Sequence, residues 1–597
     1  MTRFESNIKL LEGMDPHLAA RVKSEPVPEN FSISYSIENL PVPVLENNSL
    51  HSTYYPERDA AASIREFNPE PDSVIVVFGL GFGYHVRALL DRFPNNIVVI
   101  EPRMSLFRAF LEHVDLKVFA NRVQFRVDEP APKILARSDT GNWDVFIHAP
   151  STFVSPDYFE KMNRCIRVMD VLESHSLRIL VVNPVYGGSL PTARFCKETL
   201  ISMGHEVDSV DCDRFKDAYF EIQKITEIKN NQRSLNHKFM QLMGDAVVAK
   251  AVDFKPDLVL ALAQAPMSPE AISKFREMKT PVAFWFVEDF NTLTYWKDVA
   301  GLYDYFFTIQ QGEFFRKMKA QGLDNFYYLP QAAHPETQYP VALNEDEYKQ
   351  FSADLSFMGE GYYNRHKAFT RLLDQNFKIW GTGWNQDPVF WPHLQNNGER
   401  VSSEDCVKIY NAGKVNLNLH SSTYHDGINP NGDFVNPRTF EIAACGGFQL
   451  VDERSELGDC FQIGEEMVTF SNLEEMRAKA LYYLENPEER RKVAERGRQR
   501  VLREHTIRHR MHEMLLHIYS EREQELEIRT SSRESVLDRA LDQVADDPEL
   551  REFLEPFRGQ KDFKFQSVID RISEDEGSFK DPELLFLMVE QIIPKKS

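Results

Sequence analysis

Ten short apolar runs are spaced along residues 74–453, each leading into a Gly, Pro or acidic turn. VIVVFGL (74–80), NIVVIEP (96–102), WDVFIHAP (143–150), LRILVVNP (177–184), DLVLALAQ (257–264) and PVAFWFVED (281–289) form the first set. DLSFMGEG (354–361), NFKIWGTG (376–383), KVNLNLH (414–420) and FQLVDE (448–453) form the second. Between most of them the apolar positions take a helical period. Continuous Val/Ile/Leu/Phe strands alternating with helices predict parallel sheets covered on both faces. A helical stretch follows over about 473–525, interrupted only by Pro487 and Gly497, and the last 70 or so residues are charged and poor in strand-like runs. The pattern predicts an α/β protein with an N-terminal extension (1–45), a Rossmann-like domain (46–172), a second and third α/β unit (173–335 and 340–515) and a helical tail (516–597).

Composition narrows the class. A hydrophobic share of 42% supports folded cores, and a net charge of −22 argues against a general nucleic-acid binder, whose footprint is basic. The six cysteines (165, 196, 212, 406, 445, 460) show neither CxxC pairing nor metal spacing, as expected of free thiols in a reducing compartment. MTRFESNIKLLEGMD has no apolar signal core, and no run approaches a membrane span of ~18 residues. A cytoplasmic location follows as the expectation, with peripheral membrane contact left open.

Chemistry-bearing residues gather at the carboxyl ends of the predicted strands. In the first domain Gly79, Gly81 and Gly83 lie between a strand and a helix, and Glu101 ends the next strand, where an acid can hold ribose hydroxyls. That turn suits a nucleotide or S-adenosylmethionine, or serves simply as a tight connection. Asn183-Pro184-Val185-Tyr186 looks like the NPPY box of amino-methylating enzymes, but it follows the fifth run instead of the fourth, which goes against methyl transfer. The second unit opens on Gly187, Gly188 and Ser189, a loop that lets an acceptor approach the backbone. Glu288 and Asp289 end its aromatic strand, where a carboxylate serves as a general base or caps the next segment.

The third unit carries the most. Gly359 and Gly361 are followed by Arg365 and His366, a combination of free N–H groups and cations that a pyrophosphate requires. Trp384 is a candidate to stack on a base or to fill the core, and His420 a candidate phosphate donor or a buried, satisfied imidazole. In NPRTFEIAACGGFQLVDE (436–453), Asn436 fits an N-cap, Pro437 the first helical position and Gly446-Gly447 a left-handed stop. Glu441 then has no packing role one turn above a helix N-terminus, and stands either as a sugar-hydroxyl acceptor or as a partner of the helix dipole.

These residues resemble a GT-B glycosyltransferase, two Rossmann-like domains with the donor nucleotide in the C-terminal one. Asp433 and Glu441 are eight positions apart before Gly446, resembling the paired acids of a large retaining group, with Asp in place of the usual first Glu. GEGYYNRHKAF, LNLH, NPRTFEIAACGGFQLVDE and YLENPEERRKVAERGRQRVLREHT resemble more closely the spore-maturation CgeB-like glycosyltransferases, and PVAFWFVEDFNTLTYWKDVAGLYDYFFTIQ resembles their preceding domain. The resemblance covers about 175–515 and implies nucleotide-sugar contacts from Arg438 and Glu441. LHSTYYPERDAAASI, GLGFGYHVRALL and VVIEP resemble the motility accessory factors, related to a pterin diphosphokinase and associated with flagellin glycosylation.

The combined expectation is a glycosyltransferase that moves a sugar from a nucleotide-sugar donor to a glycan or protein acceptor at a surface or flagellum, with no metal. Two rivals remain: a methyltransferase or diphosphokinase centred on Gly79 to Glu101, and a non-catalytic scaffold.

Overall fold

The computed structural model describes residues 2–26, 30–138, 142–531, 547–558, 568–569, 571–572 and 580–592. The chain divides into two compact units, one formed by 1–163, 309–312 and 329–513, the other by 164–308, 313–328 and 514–597.

The first unit contains two parallel sheets. Val74–Phe78 sits between Ile97–Glu101 and Trp143–Ile147, with Val123–Val127 beyond Ile97–Glu101. Every strand in this sheet is parallel to its neighbour, as the continuous apolar runs require. Residues 1–45, read as an extension, are part of this domain. Thr2 and Glu5 form a capping box for helix Arg3–Met14, and Ile8, Leu11, Leu18 and Val22 enter the same core as Val77, Phe107 and Phe110. Asn7 makes this docking specific: its buried amide donates to Leu111 O at 2.8 Å and accepts from Leu116 N at 3.0 Å.

The second sheet runs Phe377–Trp380, Ala353–Met358, Gly413–Asn418, Gln449–Asp452, Val468–Phe470, again all parallel. The winding direction reverses between Ala353–Met358 and Gly413–Asn418, and open α/β sheets bind ligands beyond the strand ends at such a reversal. Leu355, Phe357, Phe369, Trp384, Leu417 and Leu450 fill one core of this domain. A buried ion pair, Arg137 to Glu504 at 3.4 Å, links the two domains of this unit.

The other unit holds a six-stranded parallel sheet in the order Phe326–Tyr328, Tyr305–Thr308, Val282–Phe286, Leu258–Leu262, Arg178–Val182, Glu206–Val210. Its reversal falls between Arg178–Val182 and Leu258–Leu262. The region read as a helical tail begins within this unit, where Arg529 pairs with buried Asp257 at 3.2 Å. Its described helices are Glu523–Ser531, Pro548–Leu554 and Asp581–Ile592; the remainder of 532–597 lies outside the described residues apart from short pieces. Among the described residues no helix is long and apolar enough to cross a membrane, and all six cysteines are free.

Candidate active site

Two glycine loops lie back to back at the carboxyl ends of Ala353–Met358 and Phe377–Trp380. Gly359 N donates to Trp380 O at 2.9 Å, and Gly361 N donates to Thr382 O at 2.8 Å. Gly359 has a φ of +155°, and a Cβ there would lie 2.6 Å from Arg438 Nη2. Only glycine permits that approach without displacing the guanidinium.

Arg438 is the second residue of helix Pro437–Ala444, whose N-cap Asn436 accepts from Thr439 N at 3.1 Å. Its Nη1 donates to Asn418 Oδ1 at 3.2 Å, while its Nε is buried without a partner. Arg365 is only 4% exposed and spends its donors on carbonyls, two bonds to Leu419 O at 3.0 and 2.8 Å and one to Glu360 O at 2.8 Å. Both guanidinium groups sit over the Phe357 ring, at 5.0 and 5.2 Å. Burial, then the charge of Arg438, lowers the Arg365 pKa to about 9.

Glu441 lies one helical turn beyond Arg438. Tyr410 donates to its Oε2 at 3.3 Å. Burial raises its pKa, with Arg438 and hydrogen bonds from Tyr410 and Gln338 pulling the other way. Arg438 therefore interacts electrostatically with both Arg365 and Glu441. Asp433 accepts from Gln310 Nε2 at 2.8 Å and from Phe434 N at 2.7 Å, so its carboxylate orders the segment leading into the helix.

Three residues take roles different from the ligand contacts expected of them. Trp384 is fully buried, donates to Gly359 O at 3.0 Å, and stacks on His366 with centroids 4.8 Å apart, so its ring is core and offers no face to a base. His366 Nε2 lies 3.0 Å from Gly383 O and braces the second glycine loop. His420 has both nitrogens engaged: Nδ1 lies 2.6 Å from Asp452 Oδ1, and Nε2 accepts from Asn436 N at 3.0 Å. Burial drives its pKa down to about 4, so it is a neutral brace for the helix start and not a phosphate donor. Burial works against the Asp452 charge, but Arg454 and His420 together hold its pKa well below the carboxylate range. Sequence reasoning missed Asp452 and Arg454; Asp452 stood in the FQLVDE strand end and Arg454 one residue beyond it, without a local cue to the His420 that Asp452 meets.

In the other unit, Gly187 meets Gln264 across the reversal: a Cβ at Gly187 would lie 2.6 Å from Gln264 Oε1, an atom buried without a hydrogen bond. Gly188 is exposed, and Ser189 donates to Ala263 O at 3.2 Å. Asp289 caps the turn after its strand, accepting from Asn291 N at 3.0 Å and Thr292 Oγ1 at 2.9 Å. Glu288 is freer, with one long contact among the described residues, from Gln264 Nε2 at 3.5 Å. Burial, then the neighbouring Asp289, pushes its pKa up to about 7, which suits a group exchanging protons near neutrality.

In the N-terminal domain, Gly79, Gly81 and Gly83 have φ of +93°, +52° and +74°, values that favour glycine. Glu101 does not offer a carboxylate to a ribose. It is 2% exposed and accepts from Leu80 N at 3.0 Å and Arg103 N at 3.1 Å, tying the turn to the neighbouring strand.

Residues 365–516 match the family described as Glycosyl transferase-like. The spore protein CgeB of Bacillus subtilis (strain 168) is 25% identical over 260 residues, 40% of this chain and 76% of CgeB. Among solved structures, sucrose-phosphate synthase from Thermosynechococcus elongatus aligns over 58% of this chain and 99% of its own, at 13% identity and a TM-score of 0.41. Anabaena HepE in complex with UDP and glucose aligns over 58% and 100%, at 9% identity and a TM-score of 0.41. The family match defines the class over 365–516, a glycosyl transferase-like domain built on a parallel α/β sheet. More particularly, the chain is similar to the spore protein CgeB over those 260 residues.

Proposed function

We propose that the protein moves a sugar from a nucleoside diphosphate sugar to a glycan or protein acceptor destined for a cell surface or flagellum. The diphosphate lies against the Gly359 loop and the start of helix Pro437–Ala444, with the ribose on Glu441. Arg438 provides the direct charge, stabilising the leaving diphosphate as negative charge develops. Arg365, held behind Phe357, contributes its field and fixes the loop. No metal is assigned to this step, because guanidinium and helix N–H groups supply the compensation. Glu288 is the assigned base on the acceptor side, and Asp289 holds the turn beside it. The reaction is placed in the cytoplasm.

One observation carries this reading: Arg438 has a buried, unpartnered Nε, and no carboxylate forms a salt bridge with it among the described residues. A half-buried cation with a free donor, beside Glu441 but not in a salt bridge with it, is suited to receive an anion. Thermal shift with UDP, GDP, ADP, CMP and S-adenosylmethionine tests it, because a ligand stabilises the state it binds. A nucleoside diphosphate response that disappears in Glu441→Ala supports the reading. A response to S-adenosylmethionine alone, lost in Gly81→Val, replaces it with chemistry in the N-terminal domain.

A further inference from the structure

The N-terminal sheet winds in the order third, second, first, fourth strand, and reverses between Val74–Phe78 and Trp143–Ile147. Beyond the carboxyl ends of those two strands, where such sheets bind ligands, lie three buried imidazoles. His85 is the second residue of helix Tyr84–Arg92, His148 directly follows Ile147, and His51 comes just after an antiparallel ribbon of Phe31–Tyr35, Pro41–Leu45 and Asn48–Ser49. One nitrogen from each lies within 4.8 Å of the other two. The rings of His85 and His148 stack at 3.9 Å, with His51 at 5.6 and 4.8 Å from them.

Hydrogen bonds decide which lone pairs are free. His85 Nε2 lies 3.0 Å from Gly79 O, which fixes the proton on that nitrogen. Its Nδ1 then carries a lone pair, and that atom is buried without any partner. A buried acceptor left unpaired is destabilising unless something binds it. His148 Nδ1 lies 2.7 Å from Ser151 Oγ; with the proton on Nδ1, its Nε2 lone pair is free. A bond from the second ring nitrogen to a carbonyl or hydroxyl is how ligating histidines are oriented. His51 Nε2 accepts from Phe82 N at 2.8 Å, so a ligand there must take the lone pair from a backbone donor. His51 is thus the weakest of the three.

We propose that His51, His85 and His148 bind one divalent transition-metal ion. Imidazole suits zinc, cobalt, nickel or copper, whereas magnesium and calcium take oxygen ligands. Tetrahedral zinc with bonds of ~2.0–2.1 Å places neighbouring nitrogens about 3.3 Å apart, so the nitrogens draw together and the stacked rings of His85 and His148 tilt until their in-plane lone pairs converge on one ion. Three protein ligands leave one position for water or a substrate oxygen, the arrangement of a catalytic zinc. This site is separate from the sugar-transfer chemistry and does not depend on it.

The test uses the full chain purified without a polyhistidine tag. Cobalt(II) titration should give a visible d–d band saturating near one ion per chain, and X-ray absorption of the loaded protein should show an imidazole-dominated shell. His85→Ala and His148→Ala should weaken binding at least tenfold, His51→Ala less, and His393→Ala not at all. Folding of each variant is checked by circular dichroism. No stoichiometric ion in the unaltered protein overturns the proposal. So does a band that persists in folded His85→Ala and His148→Ala. If those variants do not fold, the absorption spectrum decides: a shell dominated by oxygen or sulfur overturns the site, and an imidazole shell upholds it.

Discussion

Arg365 and Arg438 share one aromatic ring: their guanidinium carbons sit 5.0 and 5.2 Å from the centroid of Phe357. Among the described residues neither forms a salt bridge with a carboxylate within 4.0 Å. Two close cations repel, and the lowered pKa of Arg365 reflects this after burial. Under the proposed function, a diphosphate bound here would relieve that repulsion.

Replacing Arg438 by Ala should therefore weaken nucleoside diphosphate binding with little loss of fold. A charge-assisted hydrogen bond contributes about 1.5–3 kcal/mol, roughly tenfold to a hundredfold in affinity. Isothermal titration calorimetry measures this directly. Equal affinity in Arg438→Ala and the unaltered protein removes Arg438 from the site.

Gly359→Ala puts a methyl group 2.6 Å from Arg438 Nη2, at a φ of +155°. Backbone strain of this kind costs about 1–3 kcal/mol. The guanidinium must also swing away, so diphosphate affinity should fall together with stability. In Gly361→Ala the obstruction is Gly383 O at 2.8 Å, so loop packing is lost without a direct clash with Arg438. Comparing melting temperature with affinity for the two variants separates loop damage from arginine displacement.

If Glu288 is the base, transfer needs its ionised form. Because burial raises its pKa to about 7, kcat/KM should rise with pH through that value and then level. Glu288→Gln should lose that limb and drop kcat about 10²- to 10⁴-fold, leaving donor affinity intact. Its contribution to stability runs the other way. The folded state holds the proton more tightly than the unfolded chain, so this contribution falls as pH rises from the ordinary carboxyl value of 4.5 through about 7.

Asp452 binds His420 and Arg454 in a site where all three side chains are essentially buried. Asp452→Asn leaves Arg454 without its charge partner, and breaking a buried pair costs about 3–5 kcal/mol. The melting temperature should drop at neutral pH. Asp452 has a depressed folded pKa, so its contribution is present above the ordinary value of 3.8 and is lost as pH falls through the folded pKa. The gap between variant and unaltered protein should narrow as acid titrates the group. A gap independent of pH would falsify the ion-pair account.

Much of this molecule was readable in one dimension. The apolar runs located strands in all three parallel sheets, because a strand buried on both faces must be apolar throughout. Asn436 and Pro437 marked the helix start, because capping is local chemistry. The roles of Trp384, His366, His420 and Glu101 were not readable. A polar or aromatic residue at a strand end looks the same whether it meets a ligand or a backbone group supplied from elsewhere in the sheet.

The sequence by itself determined the alternation of strand and helix, the glycine turns and the cations placed after Gly359, since each follows from backbone sterics and periodicity over a few residues. Tertiary structure alone decided which of those groups were already satisfied. His420 found Asp452, 32 positions away, and Glu101 found Leu80 N, 21 away, while Arg438 Nε and His85 Nδ1 were left unpaired. Hydrogen-bond satisfaction depends on which distant atoms the fold brings within about 3 Å, and local spacing does not encode that distance.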